Sequence, residues 1–501
     1  MTTADHDYAR TPDSHPAASV EGDGSRGRVV VPWRANDHRV LAAADLPETD
    51  LGLSERFALW CGADWRYRPG IGWMGYDGLR WCWDEHDQGV RAAIAHVVRS
   101  VSELEAGALP ALSGDGRRRS AREQRKQWGR SCETPRRMMA ALECAQTLPG
   151  TTVHEPDWDA DPFVLNTLNG LVDLRTGRLR PHLRDHLCTA VVNAPYLHGS
   201  RSAALDRVLS HLGGGDHDVV EFLGRWLGYC LTGSMTAEVF LFLSGAAESG
   251  KSTLFSAFTR MLGTYAETAS AESFAWRPPT GGASPEVARL AGKRFVYIPE
   301  AGGVRLDVAR VKQIVGGDPI VARLLHQNPV TFRPRCKLAF TANELAVIPD
   351  DDDGLRRRLL PLRVATPVAT RDSTIRHILE NTIEGRAALL AFAVTGAVRW
   401  HAGGADLAAL QPPAQVREQL SSYLAEMDPL HEWWDERIHV TPTAAITTAT
   451  LHADYTEWCR RHGVRRVLGM KGFAQRVTAR GFPVSADRTH GSVRVGVRLH
   501  E

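Results

Sequence analysis

Residues 245–253 read Gly245-Ala246-Ala247-Glu248-Ser249-Gly250-Lys251-Ser252-Thr253. The spacing Gly-x4-Gly-Lys-Ser is that of a loop whose backbone amides surround a phosphate, with glycine permitting the close approach. In such a loop the lysine neutralises the β and γ oxygens, and the serine hydroxyl ligates Mg²⁺. The chain holds 45 glycines and six lysines, so the pattern is expected by chance only about 0.006 times. These residues point to a nucleoside triphosphate and its magnesium.

Such a loop hydrolyses nothing by itself. Arg294-Phe-Val-Tyr-Ile-Pro-Glu300 supplies an apolar strand ending in a carboxylate. Glu300 is the candidate general base or water-positioner, facing Ser252 across the metal. Pro299 stands where a second acid is often found, so direct metal contact falls to Ser252 and water. A third strand, Lys337–Asn343, ends in an amide able to hydrogen-bond the γ-phosphate or the attacking water. Beyond Asp350-Asp351-Asp352-Asp353, which reads as a solvated loop, come Arg356-Arg357-Arg358. Arg357 and Arg358 could offer a guanidinium across a subunit interface, with Arg357 favoured. Between acid and amide, the stretch Lys312–Arg323 leads into a hairpin tipped by His326, Gln327 and Asn328. In a ring those tips would face the pore, which makes Lys312, Arg323, His326, Gln327 and Asn328 candidate DNA contacts.

The elements around these residues have the required order. Val239–Leu243 is a run of five large apolar residues, as in a buried parallel strand. Phe255, Phe258 and Leu262 recur at helical spacing after the loop, and Gly263 can close that helix. Further helices are expected over 87–107, 134–147, 203–212 and 218–231. Asn169-Gly170 and Thr176-Gly177 bracket a short strand, as in a β-hairpin. From 56 to 84, five tryptophans (Trp60, Trp65, Trp73, Trp81, Trp83) alternate with glycines. They form either a small aromatic-cored β unit or a base-stacking surface. The basic run Arg117–Arg119 through Arg122, Arg125, Lys126 and Arg130 is a solvated face or a phosphate-tracking one.

Composition narrows the class. A chain of 501 residues suggests about three domains. Sixty basic and 58 acidic residues give +2, so a nucleic-acid partner must be argued from local patches. No apolar run reaches the ~20 residues of a membrane span, and the N-terminus lacks a secretory apolar stretch. A cytoplasmic protein of a bacterial host, with no membrane partner, is expected. The eight cysteines are scattered, against a zinc ribbon and for reduced thiols. Fifty-four of the 60 basic residues are arginine, the bias of a GC-rich genome.

With these residues assembled, the chain resembles the superfamily-3 helicases, and most closely the helicase half of phage, plasmid and poxvirus-type primase–helicases. The likeness extends through Asp157–His182, through Leu227-Gly228-Tyr229-Cys-Leu-Thr232-Gly233, and through Lys312–Arg323. It continues in Asn343, in Arg357-Arg358, and in Tyr455-x-x-Trp458-Cys459 … Gly463 … Phe473 … Gly481-Phe482, which is similar to a closing winged-helix module. It implies an α/β fold: a P-loop, AAA+-like ATPase core with a parallel sheet and flanking helices, preceded by an α+β domain and followed by a small winged helix. It also implies ATP and Mg²⁺ as cofactors, and a homo-hexameric ring translocating 3′→5′ on single-stranded and forked DNA. About 50 polar residues precede Arg56, so a polymerase-type primase domain is not expected and primer synthesis would fall to a separate primase or polymerase.

The expected division is a disordered tail over 1–50, a Trp/Gly-rich β unit with a helix over 51–110, and a mainly helical domain over 111–235. The ATPase domain follows at 236–400, a helical linker at 401–430 and the winged helix at 431–501. Over 440–501, ten basic side chains stand against four acidic ones, a DNA-facing patch or an assembly tail. Two rival functions remain: an ATPase that remodels a protein–DNA complex, and a non-enzymatic origin-binding or interference factor.

Overall fold

The computed structural model describes residues 38–109, 120–277, 285–322, 330–345, 353–364, 366–368, 372–426, 430–464, 467–487 and 491–500. The chain divides into two compact units, one of residues 1–66 and 84–152, the other of 67–83 and 153–501.

The first unit is helical. Helix Gln88–Ser100 buries Val90, Ile94, Val97 and Val98, the one-sided spacing of an amphipathic helix. Helix Ala121–Cys132 begins in a reciprocal cap, the Ser120 hydroxyl on the Glu123 amide and the Glu123 carboxylate on the Ser120 amide. Helix His38–Ala44 lies inside the stretch expected to be disordered, because Val40, Ala43 and Ala44 find a core to enter. Nor is the basic run all solvated. Arg125 and Arg56 are buried on one carboxylate, Glu105, at 2.8 and 3.0 Å, with Trp128 4.9 Å from Arg56. Glu105→Leu would strand two buried guanidiniums, at a cost of about 3–5 kcal/mol. Urea unfolding of the variant should show a loss of that order, and a change below about 1 kcal/mol would mean that Glu48 and backbone carbonyls already hold both arginines.

The tryptophan-rich segment is divided, with Trp60 and Trp65 in the first unit and residues 67–83 in the second. Its hairpin, Gly72–Tyr76 paired antiparallel with Trp81–Trp83, belongs to the second unit, since Trp81 and Met74 cluster with Trp158. Trp60, Trp65, Trp73 and Trp81 are buried, and Trp83 alone of the five is exposed. They are core first. The strand expected near Asn169 is the middle of a three-stranded antiparallel sheet, Val164–Thr167, Gly170–Asp173 and Arg178–Arg180.

The centre of the second unit is a mixed α/β assembly around a five-stranded parallel sheet. Its strands are β1 (Phe240–Gly245), β2 (Ala266–Thr268), β3 (Phe295–Ile298), β4 (Lys337–Ala342) and β5 (Leu359–Val364), in spatial order β5-β1-β4-β3-β2. Every neighbouring pair is parallel. Alternate residues of each strand enter two separate cores. Leu241 and Leu243, with Phe295, Tyr297 and Ala339, join a cluster fed by helix α1 (Lys251–Leu262). Phe240, Phe242, Val296, Ile298, Leu338 and Phe340 join the other, with helix α2 (Val308–Val315). A sheet covered on both faces needs strands apolar throughout, which is why β1 lacks the polar alternation of a surface strand. Helices Ala203–Leu212 and His217–Leu231 pack in the α1 cluster, so the boundary expected near 235 cuts through one core.

Lys337, the first residue of β4, is fully buried over the Tyr229 ring (4.7 Å), with its ammonium on the Thr232 and Arg335 carbonyls. Burial pushes its pKa down to about 7. An unfolded chain keeps that amine protonated to about pH 10. Above pH 7 the unfolded state therefore binds the extra proton, and stability climbs with pH by up to about 1.4 kcal/mol per unit. Above about pH 9 buried thiols such as Cys336, raised to about 12, oppose the trend, because the folded state then holds the extra proton. Between about pH 7.5 and 8.5 the wild type should gain about 1 kcal/mol relative to Lys337→Met in urea titrations, and a constant difference would refute the titration.

The C-terminal residues form a three-stranded antiparallel sheet, Ile438–Thr447, Gly491–Leu499 and Val484–Asp487, packed on helices His431–Arg437, Thr448–Arg461 and Met470–Ala479. Arg494, counted in the basic patch on sequence, is fully buried there. Its guanidinium donates to the Thr448 and Thr478 hydroxyls and the Phe482 and Ala474 carbonyls. Arg460 and Arg461 pair with Glu457. The free basic surface is thus smaller than the sequence count.

Candidate functional site

Parallel strands end on one edge, and three of these endings meet. Register sets Ala342 beside Ser244 and Phe340 beside Ile298. The loop after β1, the acid after β3 and the amide after β4 thereby converge at the carboxyl edge of the sheet, where ligands of open α/β sheets sit. A cavity of about 800 Å³ opens there. Ala247, Glu248, Ser249, Gly250, Lys251, Ser252 and Thr253 form one wall, and Glu300, Gly302, Thr341, Asn343 and Glu344 another.

Gly245 closes β1 at φ +141°, and a Cβ there would meet the Val364 carbonyl oxygen at 2.2 Å. Only glycine lets the loop leave the sheet there. Gly250 (φ +78°) caps α1, so the loop amides and the positive helix end face the same space. Lys251 is buried beneath the loop, donating to the Gly245 and Ala246 carbonyls (both 2.7 Å) and the Ser249 hydroxyl (2.9 Å). Desolvation holds its pKa below the usual lysine value. The Ser252 side chain is exposed to the cavity.

Glu300 has φ +55° and Glu248 φ +60°, a region costly for a residue with a Cβ and concentrated at functional sites. The turn at Glu300 is pinned by the Ala301 amide on the Thr341 carbonyl (3.0 Å) and by the Tyr297 and Thr341 hydroxyls (3.1 Å). The Asn343 carbonyl accepts from the Gly245 amide (3.2 Å).

The cavity has a further wall that sequence reasoning missed. Val208 comes from helix Ala203–Leu212, Val368 from the strap after β5, and Asp372, Ser373, Ile375 and Arg376 from the start of helix Ser373–Asn381. The Val368 amide donates to the Glu248 carbonyl of the loop (3.1 Å), and the His211 ring of helix Ala203–Leu212 meets the Thr366 carbonyl (3.2 Å). Arg376 reaches Glu380 (2.8 Å) and Ser256 (3.4 Å). No spacing announces these residues, since packing alone brings them to the loop.

Of the arginine pair, neither lines the cavity of its own chain. Arg357 is exposed. Arg358 pairs with Glu238 and donates to the Gly354 carbonyl within its own chain. Lys312 is half-buried on α2 and does not line the cavity. Arg323, His326, Gln327 and Asn328 lie outside the described residues; the strands of their hairpin, Ile320–Ala322 and Val330–Phe332, pair antiparallel. Among the described residues no cluster of His, Cys, Asp or Glu is built to hold a metal, and no helix is long and apolar enough to cross a membrane.

Two family profiles match stretches of this chain. "D5 N terminal like" covers residues 54–227, and a family of unknown function (DUF5906) covers 243–358. Two viral proteins named as helicases are similar. L207/L206 of Acanthamoeba polyphaga mimivirus is 29% identical over 209 residues, 40% of this chain and 22% of that protein. 022R of Frog virus 3 (isolate Goorha) is 26% identical over 274 residues, 51% of this chain and 28% of that protein. The chain thus spans about a quarter of the length of these relatives. Among solved structures, the apo NrS-1 C terminal region aligns at 14% identity and TM-score 0.38, covering 61% of this chain and 76% of that one. The chain is thus similar to these two profiles and to viral proteins named as helicases.

Proposed function

We propose that this chain is an ATP-dependent DNA helicase serving the replication of a phage, prophage or plasmid element. Residues 236–400, extended by the helices of 203–231, act as a P-loop, AAA+-like ATPase, and residues 431–501 as a winged-helix DNA-binding module. One observation carries this reading: Lys251, Ser252, Glu300 and Asn343 line a single cavity at the carboxyl edge of a parallel sheet. The volume suits a nucleotide, and the loop, hydroxyl and carboxylates suit a triphosphate with Mg²⁺. When bound, Mg²⁺ neutralises charge on the β and γ oxygens.

The chain's own residues do the rest. Lys251 exchanges its loop carbonyls for phosphate oxygens, and Ser252 offers its hydroxyl on the metal side. Glu300 orients the attacking water and takes its proton, while Asn343 hydrogen-bonds that water or the γ-phosphate. Arg357 of a neighbouring copy in a homo-hexameric ring completes the site. Relatives named as helicases support strand separation as the work done, on single-stranded and forked DNA.

A forked duplex with ATP and Mg²⁺ tests this. Expected are strand release and hydrolysis stimulated by single-stranded DNA. Hydrolysis indifferent to DNA, with no release, would favour an ATPase that remodels a protein–DNA complex.

A further inference from the structure

The loop that leaves Glu300 leads somewhere specific. Gly302 still lines the nucleotide cavity, and three residues later Arg305 lays its guanidinium over the Trp276 ring, 4.7 Å from the centroid. Trp276 is half exposed (50%) and Arg305 is exposed. An indole of that size standing in water is unusual for this chain, whose other described tryptophans are buried or nearly so except Trp83. The pair is held by backbone. The Trp276 amide donates to the Arg305 carbonyl (2.8 Å), the Asp307 amide donates to the Phe274 carbonyl (2.8 Å), and Ala275 bridges Leu306. Arg310 donates to the Ser273 carbonyl (2.6 Å). Phe274 and Leu306 anchor this short ladder in the core that also holds Ile320 and Ala322 of the hairpin. Among the described residues no carboxylate pairs with Arg305, and its guanidinium rests on the Trp276 ring.

A half-exposed indole held by backbone hydrogen bonds, with an exposed guanidinium beside it, has the chemistry of a single-strand platform. A base stacks on the indole's open face, and the cation meets the adjoining phosphate. We propose that Trp276 and Arg305 form a single-stranded DNA contact, joined to the hydrolytic centre by the loop Glu300–Arg305. Rearrangement around Glu300 during hydrolysis is thereby passed within five residues to the group that grips a base. This rests on the nucleic-acid reading above and names a contact of that motor apart from the hairpin tip.

The test uses the full chain and a labelled oligo-dT, with fluorescence anisotropy at fixed salt, ATPase rates without DNA, and sedimentation. Base–aromatic stacking predicts that Trp276→Ala weakens binding by about 10- to 100-fold, while Trp276→Phe stays within about threefold of wild type. Arg305→Ala should weaken binding and flatten its salt dependence, with the slope falling by about one. Hydrolysis without DNA and sedimentation should not change, because neither side chain touches the cavity. Wild-type affinity in Trp276→Ala overturns the proposal. So does a loss of affinity accompanied by loss of assembly, which would make the pair a contact between copies. If the wild type itself binds no single strand, the helicase reading falls along with this contact; if it binds and Trp276→Ala binds equally well, this contact alone falls.

Discussion

Lys251→Ala should lose ATP hydrolysis by about a hundred- to a thousandfold, the scale on which preorganised charge acts at a developing oxyanion. The structure gives the side chain two tasks. Its ammonium is the cation buried under the loop, and it also ties the Gly245 and Ala246 carbonyls and the Ser249 hydroxyl together. Removing it therefore costs both the charge that meets the phosphates and the shape that presents the amides, so nucleotide affinity should fall with turnover. The fold should survive. α1 is anchored in its cluster by Leu254, Phe255, Phe258 and Met261, none of which depends on the lysine, so circular dichroism and the melting temperature should stay near wild type. Arginine should not substitute, since the ammonium sits between loop carbonyls where a branched guanidinium would have to displace them. Turnover within tenfold of wild type in Lys251→Ala would remove the basis for reading this cavity as a nucleotide site.

What the sequence disclosed follows the range of the interactions involved. The loop, its strand and its helix are contiguous, and their requirements (glycine at φ +141°, an apolar run, helical spacing) are written in neighbouring residues. Glu300 and Asn343 were legible because each closes an apolar run, and parallel strands leave their ends on one edge. Val208, Ile375 and Arg376 were not. They reach the cavity because helices Ala203–Leu212 and Ser373–Asn381 pack against α1, a fact carried by the joint burial of about fifty side chains rather than by any spacing. Arg494 and Arg125 show the same limit from the other side. A basic residue counted along the chain reads as surface charge, and only the fold reveals hydroxyls and carbonyls, or one buried glutamate, waiting for it. The tryptophan-rich segment was ambiguous for a related reason: indoles that build a core and indoles that stack on bases share one composition, and burial alone separates Trp81 from Trp276.

Arg357→Ala should spare nucleotide binding and abolish turnover, and the loss should be repairable by a neighbour. Arg357 is exposed, follows the short helix Asp353–Arg356, and contributes nothing to the cavity of its own chain. A guanidinium so placed can act on a transferring phosphoryl group only in another copy's site, through a head-to-tail contact of the kind that closes rings. Arginines in that role contribute about 10³- to 10⁵-fold to turnover, so Arg357→Ala should fall by about a thousandfold or more with its nucleotide Kd within about threefold of wild type. Arg358→Ala is the control. Its ties to Glu238 and the Gly354 carbonyl are partly exposed, worth about 1 kcal/mol or less, so hydrolysis should persist. The deciding measurement mixes Lys251→Ala with Arg357→Ala, each inert alone. Where the second variant supplies the loop and the first supplies the arginine, a complete site re-forms. In an equimolar ring about one interface in four is of that kind, so activity should return toward a quarter of wild type. If mixing restores nothing while sedimentation shows that the two variants co-assemble, the arginine acts within its own chain or not at all, and the shared site between copies is wrong.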